Sequence, residues 1–208
     1  MPPTRDAGSD PAQFLRQARG NQEAALGRLL ERYRSYLELL ARLQIGRRLQ
    51  GKVDASDLVQ ETFLEAHRHF GRFCGTTEAT FAAWLRQILA ARLAKMVRRY
   101  AGTQGRDVRL ERNLLDELEE SSRALDRGFQ APQPSPSEHA SRREQAVPLA
   151  DGLGRLPDDY REVLILRHLE GLPFPAVARR MGRSVDSVKK LWARALPRLR
   201  EALGGEGM

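Results

Sequence analysis

The 208-residue sequence contains a single cysteine, Cys74, so no disulfide can form within the chain. A lone thiol is typical of a reducing compartment, and we expect Cys74 to be a small buried apolar residue. Histidine is also scarce. His67 and His69 are two residues apart and would point in different directions on a helix, while His139 and His168 are isolated. The sequence therefore predicts no metal site.

Long apolar runs are missing too. No stretch reaches the roughly eighteen consecutive apolar residues of a membrane helix, and the N-terminus lacks the basic and apolar regions of a signal peptide. We therefore expect a cytoplasmic protein. The sequence also lacks a nucleophile paired with a base, a glycine-rich phosphate loop and paired acids in an apolar pocket. We accordingly expect no enzyme activity and no cofactor.

Positive charge is what the sequence has in excess, with 35 Lys and Arg against 27 Asp and Glu, a net charge of +8. This balance favours a polyanionic partner such as nucleic acid, although many soluble proteins are basic without binding one. The hydrophobic content of 41% suffices for one ordinary domain or two small ones.

Nearly every periodic segment has the helical period, which predicts an all-α fold. Apolar residues recur at threes and fours from Asn21 to about Ile45, in a helix that we expect to be broken once. Asp54 is the predicted N-cap of the next helix and Asp57 lies in its first turn, where carboxylates favour the helix dipole. A third, long helix is predicted to run from about Thr80 to Tyr100.

The composition changes after residue 100. Acidic and Pro-rich stretches without the apolar density of a core predict a flexible linker. Ser135, Pro136 and Glu138 have the spacing of a capping box at the start of the next helical region. The predicted organisation is an N-terminal extension, a first helical domain, the linker, a second helical domain and a tail: residues 1–20, 21–100, 101–135, 136–203 and 204–208.

The segment after Gly171 predicts a helix-turn-helix. A short helix, a left-handed turn at Gly182 and an N-cap at Ser184 precede a longer helix with a cationic face. Such a face suits a DNA major groove, where cations reach phosphates or guanine edges. The predicted DNA-contacting residues are Arg183, Ser187, Lys189, Lys190 and Arg194. The alternative is an antiparallel helix pair whose charges only keep it soluble.

A second basic region lies between Ala79 and Arg106, which contains no acidic residue. Cations beside Phe81 and Trp84 suit single-stranded or melted DNA, because unstacked bases can rest on the rings while the cations hold the backbone. The candidate residues are Arg86, Arg92, Lys95, Arg98 and Arg99. The helical spacing favours Phe81 and Trp84 as core residues for most of their area.

The helix from Asp54 begins with the opposite charge. An acidic rim around apolar positions would repel DNA and would suit a protein partner with a basic groove. The candidate partner-binding residues are Asp57, Leu58, Gln60, Glu61 and Phe63. An ordinary solvated helix face explains the same pattern.

Three stretches together resemble the extracytoplasmic-function (ECF) group of the sigma-70 family, the sigma factors of bacterial RNA polymerase. DASDLVQETFLEAHRHF is similar to the polymerase-binding helix of that family, and TFAAWLRQILAARLAKMVRR to its promoter-melting and minus-ten-reading segment. The run LPDDYREVLILRHLEGLPFPAVARRMGRSVDSVKKLWARAL is similar to its minus-thirty-five-reading domain. The resemblance covers about residues 21–100 and 136–203.

The resemblance implies a sigma region 2-like helical bundle and a sigma region 4-like helix-turn-helix domain. It implies that the acidic face binds core RNA polymerase at the clamp helices of the largest subunit, with the flap of the second-largest subunit as a second contact. The basic residues of both domains would contact promoter DNA, and an anti-sigma factor is left open as a further partner. The acidic side chains of the linker would imitate nucleic-acid charge or form a plain solvated tether.

The sequence departs from the family pattern at four positions. Ala91 and Lys95 stand where Asn and Asp are common, which leaves open the minus-ten bases that are read, and Ala176 replaces a common acidic residue. Pro148 interrupts the helix after the linker.

Pro197 lies within the last helix and predicts a kink or an early end, because proline loses a hydrogen bond there and clashes with the preceding turn.

Two other functions fit parts of the pattern. A stand-alone helix-turn-helix transcriptional regulator would explain the C-terminal half, but such proteins usually dimerise on palindromic sites. A helical interaction protein could use its basic faces to bind RNA or an acidic protein. Two unlike basic surfaces on either side of a linker favour the sigma factor.

Overall fold

The computed structural model describes residues 15–18, 20, 23–48, 53–101, 108–128 and 145–204. The described residues are helical and contain no strand, as the sequence predicts. The chain divides into two compact units, Met1–Glu120 and Ser121–Met208. None of the helices in the described ranges is both long and apolar enough to cross a membrane.

Unit 1 contains a helical bundle. Its helices are α1 (Glu23–Arg32), α2 (Arg34–Arg48), α3 (Ala55–His69), α4 (Glu78–Ala101) and the first part of α5 (Val108–Arg127). A short 3-10 turn, Phe70–Arg72, follows α3. The predicted break in the first helix lies at Tyr33, between α1 and α2.

The core of unit 1 forms where α2, α3 and α4 pack together. Leu37 and Leu40 of α2, Leu58 of α3, and Leu85 and Leu89 of α4 are all fully buried. These residues follow the helical period in each element, so that each helix buries one apolar stripe. The opposite faces of α3 and α4 are left for contacts outside the unit.

Helix α5 differs from the sequence prediction. Residues 108–127 lie within the predicted linker, yet they form a helix of 20 residues. Leu114, Leu118 and Leu125 are fully buried, although most of the residues between them are polar. Their spacing of four and seven residues places them on one helical face, which supplies the apolar stripe that the average composition concealed. The predicted capping box at 135–138 lies outside the described residues.

Unit 2 contains the predicted helix-turn-helix. Its elements are α6 (Ala146–Gly154), α7 (Asp158–Leu164), a π-helical segment (Ile165–Leu169), α8 (Phe174–Met181) and α9 (Val185–Ala202). Val163, Val177, Val188 and Ala195 are fully buried where these helices meet. The core of unit 2 therefore holds α9 by the face opposite to its cations.

Pro148 and Pro197, at which the sequence predicts interrupted helices, both lie within helices of unit 2. Pro148 lies in the first turn of α6, where a helix has no use for the backbone N–H that proline lacks. Of the two outcomes predicted at Pro197, the early end is wrong, because α9 continues through it to Ala202, and the kink stays a prediction. Leu199, beyond the proline, is only 2% exposed, and its burial offsets the lost hydrogen bond.

Candidate nucleic-acid and partner interfaces

The start of α3 is fixed by its predicted cap. The Asp54 carboxylate accepts a hydrogen bond from the backbone N–H of Ser56 at 2.9 Å. The N-cap satisfies one of the free amides at the helix start, and Asp57 adds a second carboxylate in the first turn. Asp57 is exposed and therefore available to a partner.

The predicted partner face of α3 is divided by burial. Asp57, Gln60 and Glu61 are exposed. Leu58 is fully buried and Phe63 is 8% exposed, so that these two side chains belong to the core rather than to the surface. The acidic and polar part of the predicted surface is therefore present, and its expected apolar part is not.

Leu64 supplies an apolar side chain to this surface. It is 59% exposed and follows Glu61 by one helical turn on the same side of α3. We call Asp57, Gln60, Glu61 and Leu64 the α3 face. Leu64 was not predicted from the sequence. The apolar residues predicted for this face were Leu58 and Phe63, and the pattern alone does not show that the bundle buries both.

The predicted DNA-binding arginines of α4 are largely engaged inside unit 1. Arg86 donates to the Tyr36 hydroxyl at 2.8 Å. Arg92 forms an ion pair with Glu65 of α3. A guanidinium nitrogen of Arg98 lies 3.5 Å from a carboxylate oxygen of Glu111 in α5. These three guanidinium groups therefore connect helices within the unit.

The other two predicted cations of α4 are on its surface. Lys95 and Arg99 are exposed and make no ion pair within the described part of the chain. Gln87 and Ala91 are also exposed, so every fourth residue of α4 from Gln87 to Arg99 lies on one side. We call these four residues the α4 stripe. It contains both positions, Ala91 and Lys95, at which the sequence departs from the family pattern.

The aromatic residues at the start of α4 form a cluster with the turn that precedes it. Phe81 is 1% exposed, which confirms its interpretation as a core residue. Trp84 is half-buried and stacks on Phe73, with ring centroids 4.9 Å apart. Phe70 lies at 6.3 Å from Trp84. Trp84 thus packs on the aromatic residues that precede α4 and keeps part of its surface exposed.

The loop between Phe73 and α4 has a defined local structure. The Thr80 backbone N–H donates to Thr77 Oγ1 at 3.2 Å, and the Thr77 N–H donates to Thr80 Oγ1 at 3.1 Å. A Cβ atom on Gly75 would clash with the Phe73 ring, so only glycine fits there without a shift. Cys74 is exposed, and the prediction that it is buried was wrong.

The turn between α8 and α9 has the predicted geometry. Gly182 has a left-handed backbone with φ of 62°, which glycine adopts without a Cβ penalty. The Arg183 N–H donates to the Ala178 carbonyl at 3.0 Å and closes the end of α8. The Ser184 hydroxyl accepts from the Ser187 N–H at 3.2 Å and caps α9.

Helix α9 presents the predicted cations to solvent. Lys189, Lys190 and Arg194 are exposed and have no ion-pair partner among the described residues. Ser187 is half-buried in the first turn. Arg183 differs, because it donates to a carboxylate oxygen of Asp159 at 2.6 Å. We call the three exposed cations the α9 cations.

A short helix, a left-handed turn and a capped helix with exposed cations follow one another here. This arrangement defines a helix-turn-helix DNA-binding protein. Comparison with known families makes this assignment more specific. Residues 32–103 match the model of Sigma-70 region 2, and residues 147–199 match that of Sigma-70, region 4. The chain belongs to the sigma-70 family and is an RNA polymerase sigma factor of the ECF group.

Curated relatives are similar along most of the chain. The ECF RNA polymerase sigma factor BldN of Streptomyces coelicolor is 30% identical over 95% of this chain and 68% of its own. The ECF RNA polymerase sigma-E factor of Haemophilus influenzae is 30% identical over 90% of this chain and 91% of its own. The solved RsbN-BldN complex contains a chain that is 24% identical, with 90% of this chain and 97% of that one covered and a TM-score of 0.33.

Proposed function

We propose that this sigma factor contacts core RNA polymerase through the α3 face and contacts promoter DNA through the α4 stripe and the α9 cations. The observation that carries the proposal is the separation of charge onto different exposed helix faces. The α3 face displays Asp57 and Glu61, whereas α9 displays Lys189, Lys190 and Arg194. An acidic surface repels DNA, and an unpaired cationic one attracts it.

The clamp helices of the largest polymerase subunit are the proposed partner of the α3 face, and the flap of the second-largest subunit is a second proposed contact. Leu64 would enter the centre of the first interface, with the polar residues at its rim. Leu58 and Phe63 support this interface from beneath, because they are buried against the bundle.

The two DNA-contacting surfaces have different proposed substrates. The α9 cations would enter the major groove of the minus-thirty-five duplex, with Ser187 near the base edges. Lys95 and Arg99 of the α4 stripe would hold the backbone of the melted minus-ten strand, beside the accessible part of Trp84. The protein would direct initiation in the cytoplasm without catalysing a reaction itself.

A run-off transcription assay tests the proposal. Core polymerase would be incubated with a genomic DNA library, with and without this protein, and the transcripts would be sequenced. We expect a set of new start sites that share two upstream elements. An identical transcript pattern in both reactions would contradict the proposed function.

The same DNA distinguishes the sigma factor from a stand-alone regulator. The protein without polymerase should bind the selected promoter fragments weakly, because each exposed cation surface is small. Tight sequence-specific binding by the isolated protein would favour the regulator.

A further inference from the structure

A hydrogen bond between two aromatic side chains connects α9 to the π-helical segment. Trp192 Nε1 of α9 donates to His168 Nε2 at 2.9 Å. The two rings are almost parallel, with an interplanar angle of 17° and centroids 6.2 Å apart. Both side chains are half-buried. This pair therefore lies at the junction between the DNA-contacting helix and the element behind it.

The chemistry of the pair fixes the protonation state of His168. The indole N–H can only donate a hydrogen bond, so His168 Nε2 must accept it. A neutral imidazole that accepts at Nε2 carries its hydrogen at Nδ1. An imidazolium has no acceptor nitrogen, and its Nε2–H would point at the indole N–H. Protonation of His168 is therefore incompatible with this contact.

Trp192 has a second contact that involves α8. Phe174 meets the indole edge-to-face, at 5.6 Å between centroids and an angle of 78°. The Arg167 guanidinium lies 5.1 Å from the Phe174 ring centroid, and it also donates to the Leu172 carbonyl at 3.2 Å. These contacts among Arg167, His168, Phe174 and Trp192 thus connect the π-helical segment, α8 and α9.

Trp192 is close to the DNA-contacting residues along the helix. It follows Lys189 by one turn and Val188 by four residues, and Val188 is fully buried. The orientation of the indole ring consequently affects how α9 is set on α8 and where its cations point. Geometry of this kind has to be held to within about 0.5 Å at a binding site.

We propose that His168 is a positioning residue for promoter recognition, which holds Trp192, and with it α9, through an unprotonated Nε2. Protonation of His168 breaks the hydrogen bond and weakens contact with the minus-thirty-five duplex. The proposal rests on the proposed function of α9 and adds to it a dependence on pH.

The surroundings of His168 favour the neutral ring. Burial lowers the pKa of His168 below its usual 6.5, and the neighbouring Arg167 lowers it further. Other charged or titratable residues on the elements that pack around it are Asp158, Asp159, Tyr160, Arg161 and Glu162 of α7, Arg179 and Arg180 of α8, Asp186, Lys189, Lys190, Arg194, Arg198, Arg200 and Glu201 of α9, and Glu170 after the π-helical segment.

The sign of the pH effect follows from that direction. The folded protein holds His168 neutral more strongly than the unfolded chain does. The contribution of neutral His168 to the stability of the folded protein is therefore complete above pH 6.5. It is lost as the pH falls through the lower pKa that His168 has in the folded protein.

Promoter binding by holoenzyme tests the proposal. The probe is a duplex fragment that the holoenzyme selects from a genomic library, and its affinity is measured from about pH 8 to about pH 5.5 for the wild type and for His168→Gln, which keeps an acceptor but does not titrate. We expect the affinity of the wild type relative to this variant to fall about two- to tenfold at low pH, as for the loss of one hydrogen bond. A ratio independent of pH would overturn the proposal.

A second variant covers the case in which glutamine does not reach the indole. Trp192→Phe removes the donor and leaves His168 in place. Its holoenzyme should bind the probe with a weaker pH dependence than the wild type. An equal pH dependence in the two proteins would show that His168 does not act through Trp192.

A measurement without DNA separates this proposal from the proposed function. The sequence contains two tryptophans, so Trp84→Phe leaves Trp192 as the one fluorophore of its kind. The fluorescence of Trp192 in this full-length variant should titrate with a pKa below 6.5, and the titration should vanish in His168→Gln. A wild-type holoenzyme that initiates at no promoter would contradict the proposed function. Trp192 fluorescence that does not change with pH would instead contradict the His168–Trp192 coupling.

Discussion

Glu65 of α3 and Arg92 of α4 form an ion pair in which each side chain is 22% exposed. The same carboxylate lies 2.9 Å from His69 and 3.7 Å from Arg68. Arg92 is therefore a connection between two helices of unit 1. A cation on a basic helix is available to DNA only if no carboxylate of the fold has already engaged it.

Arg92 is paired with Glu65, whereas Lys95 on the same helix is exposed, so the two substitutions should affect different properties. Arg92→Ala should lower the free energy of unfolding by about 1 kcal/mol, since it leaves Glu65 with weaker partners. Lys95→Ala should leave stability unchanged and should lower promoter opening by holoenzyme several-fold. Thermal unfolding and a promoter-opening assay on both variants check this. An Arg92→Ala protein with wild-type stability would contradict the structural role.

The α9 cations should make the salt dependence of promoter binding a direct measure of phosphate contact. Lys190→Ala should weaken binding of the upstream duplex by holoenzyme and reduce the slope of log affinity against log salt by about one. Arg198→Ala is a matched control, because Arg198 is 3.2 Å from Glu201 near the end of α9. Equal slopes for Lys190→Ala and the wild type would show that this lysine does not touch phosphate.

The α3 face predicts the effect of charge reversal on polymerase assembly. Asp57→Arg should abolish co-purification with core polymerase, because it places a cation opposite a basic surface, and the fold should be retained since Asp57 is exposed. Glu201→Arg makes the same change of charge in unit 2 and should assemble normally. Normal assembly of the Asp57 variant would remove the α3 face from the interface.

Two glycines should respond to alanine with opposite signs. Gly182→Ala should destabilise unit 2 by about 1 kcal/mol, because its φ of 62° is unfavourable for a residue with a Cβ atom. Gly27 lies within α1 with open space around it, so Gly27→Ala should stabilise unit 1 by up to about 1 kcal/mol. Calorimetry of the full-length variants measures both changes, and a stabilised Gly182→Ala would contradict the turn geometry.

The parts of the fold that depend on neighbours in sequence could be predicted. Asp54 and Ser184 cap the predicted helices, and Gly182 has the predicted left-handed turn, because each contact spans only a few residues. One break in the helix after Asn21 could also be predicted, but its position at Tyr33 could not. Local chemistry decides where a helix begins and ends, and it can be read directly from the sequence.

The remaining features depend on residues far apart in sequence. The sequence shows that α4 is basic, but not that Glu65 engages Arg92 or that Tyr36 engages Arg86. Helix α5 was not predicted because the many charged residues between its leucines lower its average hydrophobicity. The path of α9 beyond Pro197 depends on how Leu199 is buried, which local propensity does not reveal.

The exposed thiol of Cys74 gives the protein a natural handle for labelling. It is the one cysteine in the sequence, and it lies beside Gly75 in the loop that leads into α4. A maleimide dye could be attached there without engineering a new site. The label would report on that loop in real time as polymerase and promoter are added.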